Sequence, residues 1–499
     1  MRTRTPVRYE LVLPPGMIHQ LRSHLLADRT REQMAVLLSG IARGRDRTRL
    51  LGRHLITLPP GAFAEQSASS LVLDQDVQRD ILRLAAREGL SQIDFHTHPG
   101  EGARVAFSYT DDENERRLAT YLAERMPGTV YGSVVINGRS HAARIWEVVE
   151  GQPVSAPLAL PGLDDAAVPW SSDSPDRRGI PDGRFDRQVR AFGADFQRRL
   201  GSLSVGVVGC GGLGSVLIEQ LARLGVRKWV LVDPDRVEVS NLNRLLGATV
   251  RDADDEVAKV GIARRNIRRI DPQARVRALR STVYAPRALA ALKGCDLVIA
   301  ATDNDASRLA VNALACQYLI PLVHVGVNLA RRDDGFEDIS GEVAIPSLGD
   351  WCLLCSGIIN AQRAAWDLAR PEEQALLTAR GYIEGTPAPA VYHLNALIAS
   401  LAATEIHNLV RPYKPLRRYL IYNELQGELL AVGVPTQEAC LHCGTQGRLA
   451  LGDLVSPWRP DPPRSVAAIL VPEAGPVEDD AEAADGHADN TEMAAERPQ

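Results

Sequence analysis

One turn constrains this chain more than any other feature. Residues 204–214 read SVGVVGCGGLG, an apolar strand-like run that breaks into Gly209, Gly211, Gly212 and Gly214 and then enters a helical period through 213–224. Glycines spaced G-x-G-x-x-G permit a tight strand-to-helix turn and let backbone N–H groups approach a phosphate at the helix N-terminus. The following stretch alternates in the same way, with strand KWVLVD at 228–233, a helix near 256–269 and strand CDLVIAATD at 295–303. Strand–helix alternation of this kind requires crossover connections, so the spacing predicts an α/β fold with a doubly wound, Rossmann-like parallel sheet. Asp233 ends the second strand, where an acidic side chain can bond a ribose hydroxyl. Taken alone, the turn suits NAD, FAD or ATP equally.

The chain has 499 residues, too many for one core, and its punctuation divides it. Residues 1–150 mix strand-like runs (34–40, 129–136, 142–149) with helical ones (17–27, 75–88, 111–125), the pattern of a compact α/β domain. Residues 151–183 hold six prolines and no sustained apolar period, which predicts a linker. The alternating domain then occupies 184–453. Residues 454–499 are rich in Pro, Ala and acid, too poor in large apolar side chains to offset chain entropy, and are expected to be a disordered acidic tail. Nine acidic side chains against one Arg in 472–499 carry about −8 of the net −5, leaving about +3 elsewhere, a balance that does not favour nucleic acid. No apolar run reaches 18 residues and the N-terminus has no secretory h-region, so a cytoplasmic chain without a membrane span is expected.

Four of the seven cysteines fall as Cys352-x-x-Cys355 and Cys440-x-x-Cys443. In a reducing compartment that spacing favours a tetrahedral structural zinc over disulfides. A second cluster lies at 95–113, FHTHPGEGARVAFSYTDDE. Its His96, His98 and Asp111 are of the residue types that ligate zinc.

Two family resemblances follow. The run LVDPDRVEVSNLNRLL, with Asp233, Asp235, Asn241, Asn243 and Arg244, resembles the ThiF/MoeB/HesA and ubiquitin-activating adenylyltransferases, as do RFDRQ at 184–188, Lys259 and ATDN at 301–304. The resemblance implies ATP and Mg²⁺ as cofactors, with Arg244 and Lys259 on the phosphates, Asp303 (beside Asn304) on Mg²⁺ and Asp233 on the ribose. It also implies a homodimer in which Arg187 reaches the partner's ATP site. The substrate would be a ubiquitin-like or sulfur-carrier protein ending in Gly-Gly, with a ubiquitin-conjugating-type enzyme as one acceptor, and many members carry the same four cysteines. Some also carry a catalytic cysteine near the position of Gly381; here none occurs between 355 and 440, which favours an acyl-adenylate handed on directly.

The first domain resembles the JAB/MPN (JAMM) zinc metallopeptidases in its H-x-H-P and S-x-x-D segments, His96, His98, Pro99, Ser108 and Asp111, with Glu32 upstream. This implies a second, catalytic zinc held by His96, His98 and Asp111 with a fourth position open, Glu32 as the proton acceptor, Ser108 as the donor to an oxyanion, and cleavage after the C-terminus of ubiquitin-like proteins. The loop from His98 to Ser108 is two residues longer than the common spacing. A peptidase fused to an activating enzyme would trim and then adenylate the same protein. Three alternatives stand beside it: sulfur-carrier activation for thiamine, molybdopterin or cysteine synthesis, an NAD-dependent oxidoreductase, and a non-catalytic binding module.

Overall fold

The computed structural model describes residues 8–44, 46–99, 104–161, 183–332, 335–369, 372–374, 391–437 and 439–457. The first part is built on seven strands closed into a barrel in the order β1-β3-β2-β6-β7-β8-β9. They are β1 (Arg8–Val12), β2 (Met34–Arg43), β3 (Arg47–Thr57), β6 (Ser91–Thr97), β7 (Tyr131–Ile136), β8 (His141–Val149) and β9 (Gln152–Ala159); β4 (Phe63–Gln66) and β5 (Leu71–Leu73) form a separate ribbon. Three helices accompany them: α1 (Pro15–Leu25), α2 (Gln75–Glu88) and α3 (Tyr109–Arg125). The reasons are local. Asp74 accepts from the N–H groups of Asp76 and Val77 and starts α2, and Gly89 at φ +66° ends it. Every residue of β6 is buried, so this strand carries His96 through the middle of the fold. β9 corrects the expected linker: residues 152–159 are a strand of the barrel, while 162–182 lie outside the described residues.

The second part runs from Gly183. Its helices are α4 (Asp186–Phe192), α5 (Ala194–Ser202), α6 (Gly212–Leu224), α7 (Val250–Asp254), α8 (Lys259–Ile270), α9 (Pro286–Leu292), α10 (Asp305–Tyr318), α11 (Ala361–Leu368) and α12 (Tyr392–Val410). Its strands are β10 (Ser204–Val208), β11 (Lys228–Val232), β12 (Arg275–Leu279), β13 (Leu297–Ala300), β14 (Leu322–Arg332), β15 (Gly335–Ala344), β16 (Tyr419–Asn423) and β17 (Glu428–Ala431). They form one sheet in the order β12-β11-β10-β13-β14-β15-β16-β17. The first five are parallel, as the alternation requires, and the last three are antiparallel. The sequence reading missed that change of direction; after β14 the chain turns back through a hairpin too short for a parallel crossover.

The two parts share a core. Val12, Ala42 and Leu51 of the barrel are buried in the same apolar cluster as Val298, Leu314, Leu322 and Leu449. Arg47 adds an ion pair to Asp296 at 2.6 Å, and buried Arg49 donates to the Lys293 carbonyl. Residue 454, expected as the start of a disordered tail, is packed instead: Leu454 lies on the barrel beside Val36, Ile81 and Leu90, and the rest of that expected tail, 458–499, lies outside the described residues. Among the described residues, no helix is long and apolar enough to cross a membrane.

Candidate functional site

β10 has β11 on one side and β13 on the other, and its connections leave in opposite directions, so a crevice opens at the carboxyl ends of these strands. A cavity of about 620 Å³ lies there, within the range of small-molecule sites. The glycine turn forms its floor. Gly209 has φ +94°, and a Cβ on it would sit 2.3 Å from the Ala301 carbonyl oxygen; one on Gly214 would sit 2.1 Å from the Gly209 carbonyl oxygen. These two glycines are required by packing. Gly211 differs, because a Cβ there would meet nothing within 4 Å. It caps α6 with no side-chain hydrogen bond and lines the cavity, which leaves the first amides of the helix open to an anion.

The charged residues surround this floor. Asp233 is buried, and its two oxygens accept from the N–H groups of Cys210 (2.7 Å) and Asp235 (2.9 Å). It therefore ties the glycine turn to the next loop as well as lining the cavity, and burial pushes its carboxyl up against those two bonds. Lys259, at the start of α8, bonds Asp235 at 2.8 Å. Burial opposes its charge, but the Asp235 bond and the nearby Asp233 and Asp303 carboxylates outweigh that and hold its pKa above the ordinary value. Arg244 donates to the Ser240 carbonyl (2.7 Å) and to Asn243 (3.0 Å), which props its guanidinium at the cavity wall. Asn241 accepts from the Glu238 N–H at 3.2 Å and shapes that same turn. Asp303 lines the cavity just after β13, and Asn304 caps α10 by accepting from the Ser307 N–H at 2.7 Å. Arg187 is exposed on α4 and does not line this cavity.

Several lining residues escaped the sequence reading, namely Tyr284, Arg308, Trp366, Asp367 and Asn395. Asp367 accepts from the N–H groups of Asp305 (2.7 Å) and Ala306 (3.1 Å) and so closes α11 onto the start of α10. The Thr302 hydroxyl and the Trp366 indole N–H are buried without a hydrogen-bond partner among the described residues. Two polar groups in that state on one cavity wall are suited to a ligand. No local pattern marks them, because they come from loops and helices far apart in the chain.

The four cysteines meet farther along α10, beside Asn312. Sulfur–sulfur distances are 3.7 Å for Cys352–Cys355, 3.8 Å for Cys352–Cys440 and 3.5 Å for Cys355–Cys443. Zinc bound by four thiolates at about 2.3 Å places them about 3.8 Å apart, so the cluster fits that ion. Asn312 supports it, with its side-chain nitrogen 3.4 Å from the Cys352 sulfur while its oxygen accepts from the Leu353 N–H at 3.0 Å. Cys210 and Cys295 are buried in apolar surroundings; burial pushes the Cys295 thiol up to about 12 and raises Cys210 as well. Neither is placed to be a nucleophile.

In the barrel, His96 at the end of β6, His98 just after it and Asp111 in the first turn of α3 converge, with ligand atoms all within 4.8 Å. Each imidazole Nε2 is 3.5 Å from an Asp111 oxygen, and Glu32 Oε1 is 4.0 Å from His98. Ligands about 2.0–2.1 Å from a tetrahedral ion lie roughly 3.4 Å apart, and the buried His96 Nε2 has no hydrogen-bond partner among the described residues, so the set fits zinc. Burial opposes the charge on Asp111, yet the two imidazoles hold its carboxyl well below the usual range. Burial raises the Glu32 carboxyl against the pull of His98 and His96, which suits a proton acceptor. Ser108 departs from expectation: it caps α3, and its hydroxyl donates to Asp111 at 2.7 Å, so a part at an oxyanion requires that bond to be given up. The long loop is held at Phe107, with the Arg144 guanidinium 3.7 Å above the ring; residues 100–103 lie outside the described residues.

The model of the ThiF family matches residues 185–444. The sulfur carrier protein adenylyltransferase of Thermus thermophilus is 30% identical over 270 residues, which is 53% of this chain and 91% of that protein. The SAMP-activating enzyme E1 of Haloferax volcanii is 38% identical over 145 residues, 28% of this chain and 52% of the relative. Among solved structures, E. coli MccB with ATP is similar at 18% identity and a TM-score of 0.41, over 53% of this chain and 75% of that one, a likeness too distant to carry function. The family match begins at residue 185, so the metallopeptidase resemblance of the barrel rests on the barrel's own residues.

Proposed function

We propose that this chain, which belongs to the ThiF family, adenylates the C-terminal carboxylate of a small ubiquitin-like or sulfur-carrier protein. The observation that carries the reading is convergence: open helix-start amides at Gly211, two cationic side chains and Asp303 all face one cavity at the switch point of the sheet. A carboxylate oxygen of the carrier attacks the α-phosphorus of ATP, the bond to the β-phosphate oxygen breaks, and pyrophosphate leaves with that electron pair. Like charges oppose this approach. Lys259 and Arg244 stabilise the charge that grows on the phosphate oxygens, and they do so without reorganising because Asp235 and Ser240 already hold them. Mg²⁺ held by Asp303 would supply further charge neutralisation at the departing pyrophosphate. Asp233 orients the ribose. Arg187, exposed on α4, is assigned to the cavity of a second copy.

No cysteine lies between 355 and 440, so the acyl-adenylate itself is the species passed on. Sulfide-dependent thiocarboxylate formation would mark a sulfur-carrier pathway, whereas transfer to a partner protein's cysteine would mark conjugation. Intact mass spectrometry of a Gly-Gly-ending carrier incubated with ATP should find AMP added to its C-terminus. Asp303→Ala should abolish that species, and an unchanged yield would remove Asp303 from the reaction. An NAD-dependent dehydrogenase reading leaves Lys259 and Asp303 without a part and predicts NAD binding.

The barrel favours a second, hydrolytic activity, on the observation that Glu32 stands 4.0 Å from His98 in a group that fits zinc. A zinc ion there would supply Lewis acidity. Glu32 would take a proton from the attacking water, and the bond after the carrier's terminal glycine would be cut, which yields the substrate of the adenylation. Removal of the carrier from conjugates is the other use of the same chemistry. Cleavage of a carrier extended past Gly-Gly, lost in Glu32→Gln with zinc retained, tests it.

A further inference from the structure

Residues 440–456 leave the four-cysteine cluster and run along the seam between barrel and sheet. The turn that follows the last two cysteines is tight. Gly444 N–H donates to the Cys440 carbonyl (2.9 Å), Arg448 N–H to the Leu441 carbonyl (3.1 Å), and a Cβ on Gly447 would sit 2.4 Å from the Leu441 oxygen. From there the strap bonds both sides. Toward the sheet, Ala450 N–H donates to Cys316 (3.0 Å) and Gly452 N–H to Gln317 (2.9 Å), while the Gln317 side chain donates to the carbonyls of Gly452 (2.7 Å) and Val455 (2.9 Å).

Toward the barrel, the buried Arg53 guanidinium of β3 donates to the carbonyls of Thr445 (2.8 Å), Gly447 (3.3 Å) and Leu449. Asp453 N–H donates to the Ile41 carbonyl at 2.7 Å, and Arg43 N–H donates to the Asp453 carboxylate at 2.8 Å. Contact is close enough that a Cβ on Gly40 would lie 2.0 Å from the Ala450 carbonyl oxygen.

We propose that the four-cysteine centre is the anchor of this strap, and that metal there fixes where the barrel sits on the sheet. Cys352 and Cys355 belong to the loop after β15, whereas Cys440 and Cys443 begin the strap. An ion joining the two pairs makes the near end of the strap part of the sheet. Arg53 then finds three carbonyls already oriented and meets them without a further ordering cost. Without the ion, the near end keeps its own turn, the Asn312–His442 contact at 3.0 Å and the Arg448 bond to the Gln317 side-chain oxygen at 2.8 Å, and the barrel keeps the Arg47–Asp296 pair and the Arg49 contact. The seam loosens and the barrel is not released. The centre thus sets the position of the His96–His98–Asp111 pocket relative to the nucleotide cavity, whether or not either pocket is catalytic.

Hydrogen–deuterium exchange on the full chain tests this. Stripping zinc with graded chelator should raise exchange of the Ala450, Gly452, Asp453 and Arg43 amides at least tenfold before the β10 and β11 amides change. Arg53→Ala retains all four cysteines and should speed exchange across 445–453 with the metal content of the four-cysteine centre unchanged. The proposal is overturned if the strap and the sheet lose protection together, if the purified chain holds no metal at the four cysteines, or if Arg53→Ala exchanges like wild type. A Cys440→Ser/Cys443→Ser variant that folds should match the stripped chain, and wild-type exchange in it would likewise overturn the proposal.

Discussion

Two glycines of one turn should fail in opposite ways when each is replaced by alanine. At Gly209 the backbone has φ +94°, a conformation that costs a residue with a Cβ about 1–3 kcal/mol. The new Cβ would also lie 2.3 Å from the Ala301 carbonyl oxygen, a backbone atom that can move only with β13. Overpacking of that kind costs about 1–3 kcal/mol more. Gly209→Ala should therefore destabilise the sheet by roughly 2–6 kcal/mol, which for a unit of this size lowers Tm by about 5 °C or more. At Gly211 φ is −78° and a Cβ meets nothing, so Gly211→Ala should cost only about 0.5–1 kcal/mol, the preference of a helix N-cap for Gly over Ala. Its methyl group would instead project into the cavity where the first amides of α6 are open, and the KM for ATP should rise. Thermal unfolding and ATP-dependent pyrophosphate exchange on both variants separate the two effects. Gly209→Ala melting with wild type, or Gly211→Ala losing stability while its KM stays fixed, would refute the reasoning.

Other outcomes follow from the same geometry. His98→Ala removes one of three converging ligands in the barrel and should cost the chain one equivalent of zinc without disturbing metal at the four cysteines; unchanged zinc content would dismiss the site. His324 and His407 should each contribute stability that is lost with acidification from pH 7 to 5. His324 is buried, and burial holds its pKa below the usual 6.5 despite the Glu342 hydrogen bond; burial alone does the same to His407, which is also buried. In the unfolded chain each imidazole takes up a proton near pH 6.5 that the folded form refuses until lower pH, so stability present above 6.5 is lost as pH falls through it. His324→Gln should flatten the Tm–pH curve between 7 and 5, and an unchanged slope would exclude His324 as a source.

The parts of this molecule that were legible in the sequence are those whose constraint is local. Gly209 and Gly214 stand within one turn, Asp233 and Asp303 each end an apolar strand, and His96, His98 and Asp111 fall within sixteen residues, so spacing alone brings them together. Asp367 and Asn395 reach the same cavity from α11 and α12, after a loop that carries half of the metal cluster, and nothing in their neighbourhood marks them. Prolines concealed β9. Pro153 and Pro157 read as linker, yet β9 pairs along its length only with β8 and meets β1 only at Leu158 and Ala159, so most of its other side has no ladder to break. The strap was hidden for a similar reason. Residues 444–456 have no periodic pattern, and they are ordered by Arg53 and Gln317, more than a hundred residues away.

The most direct test of the central claim is ATP–pyrophosphate exchange by the full chain with candidate carriers ending in Gly-Gly, run beside Asp303→Ala. Adenylation predicts exchange that requires the carrier and is lost with Asp303. Exchange that is independent of the carrier, or equal in the variant, would contradict the account of this cavity.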